Sequence, residues 1–245
     1  MNVTRRDLLF AALGLAGGAS LTSLVQMVRN QPDQLHQIDP AHALQSLADV
    51  PSAQEALQRL IDGNKRFVEQ HSKHPHSEIL WRQSLASAQH PFAVVLGCSD
   101  SRVAPEIIFD EGLGDLFVIR QVGHVADDDT LASIEYATEH LHVPLVVVLG
   151  HEGCGAVTAA RDAVLSDQPI EGHLCRIVDD IAPAIHEVKD VRLNQLDAAI
   201  RANVRCVVHK LRDNGPVLRS LVRKDHLRVV GAFYNLRTCS VEWLT

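Results

Sequence analysis

The sequence predicts an α/β fold, a mainly parallel β-sheet flanked by helices. Two observations carry that prediction. Short continuous apolar runs, "PFAVVLG", "DLFVIR" and "PLVVVLG", mark strands buried on both faces. Between them, apolar residues recur at helical spacing, and strands that alternate with helices pair mainly in parallel. A length of 245 residues suits one such domain with a sizeable core, or two small ones. No internal repeat or low-complexity stretch divides the chain, so one catalytic domain is expected over residues 51–245.

Each element has its own local signal. Residues 1–30 carry Arg5 and Arg6 and then a mildly apolar run, as in a twin-arginine-type export signal; a membrane helix is the alternative. Residues 31–50, with Pro32 and Pro40, read as a linker. Ser52 followed by Glu55 is a capping box, and Leu57, Leu60, Ile61, Asn64, Phe67 and Val68 then share one helical face. "HSKHPH" ends this N-terminal helical arm as a polar loop. "PEIIFDE" reads as a helical turn with Pro105 at its first position. "DDDTLASIEYATEHL" has acids at its start and Leu131, Ile134, Ala137 and Leu141 on one stripe. "GAVTAARDAVL" continues as a helix, residues 166–190 read as a loop with a short helix, and "RLNQLDAAIRANVRCVVHKLRD" is a long helix stopped by Asn214-Gly215-Pro216. "LRVVGAFYNL" and "SVEWL" close the chain as strands.

The charge balance narrows the partners. A formal net charge of −7 argues against a nucleic acid, whose phosphates need a basic face. No membrane association is expected once the signal is removed, and export by the twin-arginine route would place the protein in the periplasm. An odd count of five cysteines in a chain with a large core does not require disulfides.

Two of the buried runs end alike. "VVLGCSDSR" and "VVVLGHEGCG" pass from apolar residues through Gly to polar, metal-capable side chains. In a parallel sheet the carboxyl ends of the strands share one edge, where open α/β folds bind ligands. Cys98 and Asp100 can therefore converge with His151 and Cys154. Two sulfurs, an imidazole and a carboxylate suit Zn²⁺ in tetrahedral geometry. Gly153 and Gly155 let the second turn close, and a helix starting near Cys154 would favour its thiolate. Cys175, Cys206 and Cys239 lack such settings and read as packing residues.

"CSDSRVAPEIIFDEGLGDLFVIR", "ASIEYA" and "LGHEGCGAV" resemble the β-class carbonic anhydrases, and the likeness runs from "EALQRLIDGNKRFVE" to "VVGAFYNL". The resemblance implies one zinc per subunit on Cys98, His151 and Cys154. It implies that Asp100 and Arg102 form a catalytic dyad, with Asp100 as the fourth metal ligand in a closed form and Arg102 drawing it away in an open one. The implied reaction is reversible hydration of carbon dioxide to bicarbonate and a proton, for which zinc lowers the pKa of water to about 7. By the same resemblance Gln89 and the Gly155 backbone N–H are candidates for contacting substrate. The assembly implied is a homodimer or homotetramer, with the helix "EALQRLIDGNKRFVE" lying across a neighbour.

Some positions depart from the family or have two readings. Many members read N-A-G-N where this chain has Gln121-Val122-Gly123-His124, and His124 is either a proton shuttle or a structural or solvated histidine. Val95 stands where an allosteric branch carries Trp, so bicarbonate gating is not expected; Arg120 matches an arginine of that region or serves an ion pair. Ser99 and Ser101 are expected to satisfy backbone groups. His71, His74 and His76 read as an exposed loop rather than a second metal site. Alternatives to the lyase are a carbonyl sulfide or carbon disulfide hydrolase of the same fold, or a non-catalytic zinc-binding protein. The last would have no use for Asp100 and Arg102.

Overall fold

A computed structural model describes residues 51–166, 168, 170–188, 195–213 and 215–244; the expected signal at 1–30 and linker at 31–50 lie outside these residues. Strands β1 (Ala93–Cys98), β2 (Leu116–Gln121), β3 (Leu145–His151), β4 (Arg228–Tyr234) and β5 (Val241–Leu244) form one sheet in the order β2-β1-β3-β4-β5. β1 pairs in parallel with β2 and β3, β3 pairs in parallel with β4, and only β5 runs antiparallel. β1 and β3 are buried at every position, as their unbroken apolar runs require. β2, on the sheet edge, is half-buried over most of its length.

Successive strand residues feed opposite faces. Ala93 and Val95 join one core with helix α1 (Ala53–Val68) and the short α3 (Pro105–Ile108), past the six-residue α2 (Ile79–Ser84). Val94 and Leu96 join the other core, which includes residues of α4 (Asp128–His140), α7 (Gln195–Asp213) and α8 (Pro216–Arg223). A third cluster gathers α5 (Gly155–Ser166) and α6 (Leu174–Val188) around the carboxyl end of the sheet, with Cys98 and Cys154 among its members.

α1 begins with the expected capping box. Ser52 Oγ accepts from the Glu55 amide at 3.2 Å, and the Glu55 carboxylate accepts from the Ser52 amide at 2.8 Å. The sequence leaves this helix without a partner in its own sheet; the structure supplies one. Ala56, Leu57 and Leu60 are buried against the sheet, and Asn64 donates to the Ile108 and Cys239 carbonyls while accepting from the Val241 amide. Much of the apolar face of α1 is therefore covered within the chain, while Ile61 and Phe67 are only partly buried and Val68 stays exposed.

In the stretch 166–190, expected to hold a loop and a short helix, the helix is longer than expected: α6 runs fifteen residues with Pro183 inside it. Proline removes one helical hydrogen bond and reads as a stop. The buried stripe of Val178, Ile181, Ala184, Ile185 and Val188 outweighs that cost. Pro216, expected only to end the preceding helix, also opens α8 at its first turn.

Candidate active site

β1 and β3 are adjacent and parallel, with Leu96 opposite Val148 and Gly97 opposite Leu149. Cys98 ends the first strand and His151 the second, so the two side chains leave the sheet at one edge about 5 Å apart between strands. Gly153, at φ +65°, turns the chain back, and Cys154 follows just before α5. Their ligand atoms lie within 4.8 Å of one another, and all three residues are buried.

The protonation chemistry of this trio suits a cation. His151 Nδ1 faces the Glu152 carbonyl oxygen at 2.9 Å. A carbonyl only accepts, so Nδ1 carries the proton and Nε2 keeps its lone pair. Nε2 is buried and has no hydrogen-bond partner in the protein. The Cys98 thiol is pulled down to about 3, chiefly because Cys154 donates to its sulfur; burial opposes this, and His151 and the Gly123 and Asp100 amides assist. Cys154 is pushed up, by that same bond and by burial. The pair thus sheds one proton readily and keeps the other. A bound cation is what lets both sulfurs ionise, since metal ligands must be deprotonated. The donor set, two sulfurs and one unpartnered imidazole nitrogen, fits zinc with an open fourth position.

Asp100 lies beside the trio but does not complete it. Arg102 holds it bidentately, Nε to Oδ1 at 2.9 Å and a terminal guanidinium nitrogen to Oδ2 at 2.7 Å, and the Arg102 amide adds a third bond at 2.9 Å. Oδ2 is 4.0 Å from His151 Nε2. The Arg102 hydrogen bond holds the carboxyl well below the usual carboxylate range, against a smaller effect of burial.

Arg120 does not form the ion pair that was one reading of it. Its guanidinium donates to the Cys98 and Asp100 carbonyls at 3.1 and 2.6 Å, clamping the backbone of the turn. Ser99 Oγ donates to the Arg120 carbonyl at 3.2 Å, as expected of a serine serving backbone groups. Glu152 escaped the sequence reading, although it sits between His151 and Cys154 in "HEGC". Its amide donates to the Tyr234 carbonyl, and its carboxylate accepts from the Leu236 amide and pairs with Arg237 at 3.0 Å. The His151–Cys154 turn is thereby fastened to the end of β4.

The remaining candidates fall elsewhere. Gly155 is exposed at the start of α5, with open space where a Cβ would stand, and amides of a first helical turn lack intrahelical partners. Gln89 is exposed ahead of β1, at the opposite end of that strand from Cys98, and the strand itself spans roughly 17 Å at about 3.3 Å per residue. Within one chain it does not join the trio. His124 is fully buried and bonded to Asn203 rather than facing solvent, and burial lowers its pKa to about 4. It is a neutral structural histidine, not a shuttle. His76 pairs with Asp115 at 2.6 Å and stacks on Trp81. Among the described residues, the one group with metal-ligand geometry is Cys98, His151 and Cys154.

The profile of the family described as "Carbonic anhydrase" matches residues 93–241. The carbonic anhydrase of Mycolicibacterium smegmatis is 42% identical over 187 residues, covering 76% of this chain and 91% of the relative. The chain belongs to the β-class carbonic anhydrase family. A second member, carbonic anhydrase 2 of Mycobacterium tuberculosis, is 41% identical over 74% of this chain and 87% of its own length. Among solved structures, a β-carbonic anhydrase of Sordaria macrospora, described as tetrameric, superposes with a TM-score of 0.61 at 27% identity, covering 75% of this chain and 93% of that one. The family match spans β1 to the start of β5, so both strand ends that carry the trio fall inside it.

Proposed function

We propose that this β-class carbonic anhydrase catalyses the reversible hydration of carbon dioxide to bicarbonate and a proton, with zinc on Cys98, His151 and Cys154 and with Asp100 and Arg102 as the working pair. The observation that carries the assignment of residues is the convergence of two buried sulfurs and an unpartnered imidazole nitrogen within 4.8 Å, with an Arg-held carboxylate beside them. When bound, zinc supplies the Lewis acidity that makes water a nucleophile near neutral pH.

The chain's own residues do the rest. Asp100 is ionised at neutral pH, so its oxygens accept a hydrogen bond and orient the O–H of the attacking oxygen toward carbon dioxide. Arg102 keeps the carboxylate turned off the trio, so that it would not compete with that oxygen for a metal held there. The oxygen forms a bond to carbon, one C=O electron pair moves onto oxygen, and the displaced proton passes to solvent. The Gly155 amide meets the anion that forms, a reading supported by the open space at the start of α5.

Two measurements test this together. Elemental analysis of the purified protein should give one zinc per chain, and stopped-flow assay should show carbon dioxide hydration well above the buffer rate. A zinc-loaded protein no faster than buffer would end the lyase reading.

The finer reading extends to assembly and destination. The protein works as a homodimer or homotetramer, a reading supported by the tetrameric description of the Sordaria relative. Residues 1–30 direct it to the periplasm through the twin-arginine route, a reading supported by Arg5 and Arg6 ahead of a mildly apolar run. Replacing both arginines with lysine should leave the protein inside the cell; unchanged export in a fractionation assay would remove this assignment.

A further inference from the structure

Cys98 has a neighbour whose position is set by a residue far away in the chain. Its Sγ accepts a hydrogen bond from the Gly123 amide at 3.4 Å, within reach for sulfur. Gly123 lies in the short 3₁₀ turn Val122–His124 that follows β2, at φ +76°. A side chain there would be doubly penalised, by the left-handed backbone and by Ile181 Cδ1, 2.8 Å from an ideal Cβ. A bend of this kind is not held by its own ladder of hydrogen bonds. What holds it is Asn203, on α7, nearly fully buried and eighty residues away in sequence.

Asn203 Nδ2 donates to the Gly123 carbonyl at 3.0 Å and lies 3.0 Å from His124 Nε2. The carbonyl can only accept, so it fixes which end of the amide faces the bend. The second amide hydrogen then points at His124 Nε2, which must be unprotonated to accept it. The burial that keeps His124 neutral agrees with this arrangement. The two N–H bonds of one side chain therefore grip consecutive residues of the turn, while the same turn presents its Gly123 amide to the sulfur. α7 comes close enough because the strands beneath it carry glycine: a Cβ at Gly150 would stand 2.6 Å from Val204, the residue next to Asn203.

We infer that Asn203 is a positioning residue for the metal site, holding the Gly123 N–H on the Cys98 sulfur and so setting how strongly that sulfur donates to the metal. An N–H···S bond withdraws electron density from a thiolate. Releasing it makes the sulfur a stronger donor, the metal a weaker Lewis acid, and the pH at which activity rises correspondingly higher. It also loosens the pre-formed site. Outer-shell partners of this kind typically change metal affinity or activity by about 10- to 100-fold. The inference rests on Cys98 being a metal ligand, as proposed above.

The test uses the full chain with cobalt(II) in place of zinc, compared with Asn203→Leu, which has similar bulk and no donor. The expected result is a sulfur-to-cobalt charge-transfer band moved to longer wavelength, a pH–activity midpoint moved upward, and zinc affinity weakened about tenfold. A folded Asn203→Leu protein with the band and the pH midpoint unchanged would reduce Asn203 to a packing residue and overturn the inference. Should the leucine variant fail to fold, Asn203→Ser, which keeps a single donor, is read in the same way, with a smaller displacement expected. The wild type loaded with cadmium-113 supplies a readout that needs no variant: a scalar coupling between the metal and the Gly123 amide proton through the Cys98 sulfur. Its absence would remove the bond on which the inference depends. Failure of the wild type to bind any metal would instead bring down the zinc reading itself, so the two failures are told apart.

Discussion

The two ends of this sheet each hold an aspartate gripped by an arginine, and they hold it differently. At the amino ends of β1 and β2, Asp110 accepts from Arg66 Nε at 2.5 Å and from the Lys73 and His74 amides at 2.9 to 3.0 Å. Its side chain has no exposure to solvent. Nearby, Arg59 spans Glu111 and Asp115, and Asp115 also takes His76. At the carboxyl ends, the Asp100 carboxylate is partly exposed and accepts hydrogen bonds from Arg102, through its amide and its exposed guanidinium. The first carboxylate is fixed from several directions and can only hold the loops together. The second is tied from one side and faces two sulfurs and an imidazole across a few ångströms, so it can turn. The same residue pair is a rivet in one place and, in the function proposed above, a working part in the other.

The largest expected effect lies in the trio. Cys154→Ser removes one of two sulfurs, and both zinc content and hydration rate should fall by more than the roughly 100-fold that outer-shell changes cost. Stoichiometric zinc with intact turnover in this variant would dissolve the distinction between the two ends. Asp100→Ala comes next. It should keep its zinc and lose about 10²- to 10⁴-fold in rate, the range for a positioned proton-handling group. A variant as fast as the wild type would show that the loosely held carboxylate has no part in the chemistry.

Asp110→Asn is the reciprocal case, large in stability and small in rate. Taking the charge from a buried pair leaves Arg66 unpaired and should cost about 3 kcal/mol, or roughly 6–12 °C in melting temperature. Rate per folded, zinc-loaded molecule should be unchanged. The pH dependence has a definite sign. Burial alone would raise the Asp110 pKa, but the Lys73 amide, Arg66 and the His74 amide together leave it lowered. A depressed pKa contributes stability above the unfolded value near 3.9, and that contribution is lost as pH falls through the folded value. The melting temperatures of wild type and Asp110→Asn should therefore converge in acid. Glu111 runs the other way: burial raises its pKa despite Arg59, so its contribution fades as pH rises through the folded value. A gap that stayed constant down to pH 3 would mean Asp110 is not the fixed charge its contacts describe.

Much of the site was legible because its signals are local. Cys98 and His151 each follow an unbroken apolar run, and parallel strands must deliver their carboxyl ends to one edge. The capping box at Ser52 and the Pro105 turn were legible for the same reason: a few adjacent residues set the geometry. What local pattern misread was governed by burial. Residues 166–190 read as a loop with a short helix, yet the buried stripe of α6 carries a fifteen-residue helix through Pro183. His124 reads as either a proton shuttle or a structural or solvated histidine, and its full burial against Asn203 decides for the structural role. Glu152 and Asn203 gave no signal of function because their partners lie some eighty residues away in the chain.

By itself the sequence determined the α/β class, the order of the five strands and of most of the helices, and the choice of the two sulfurs, the imidazole and the Asp–Arg pair as candidates. These follow from periodicity and from neighbours in the chain. Only the tertiary structure decided that α1 docks on its own sheet, that Asp100 is turned to Arg102, and that Arg120 and Asn203 steady the backbone around Cys98. Each of those depends on how many donors reach a buried group through space, a quantity that long-range packing sets and sequence spacing does not contain.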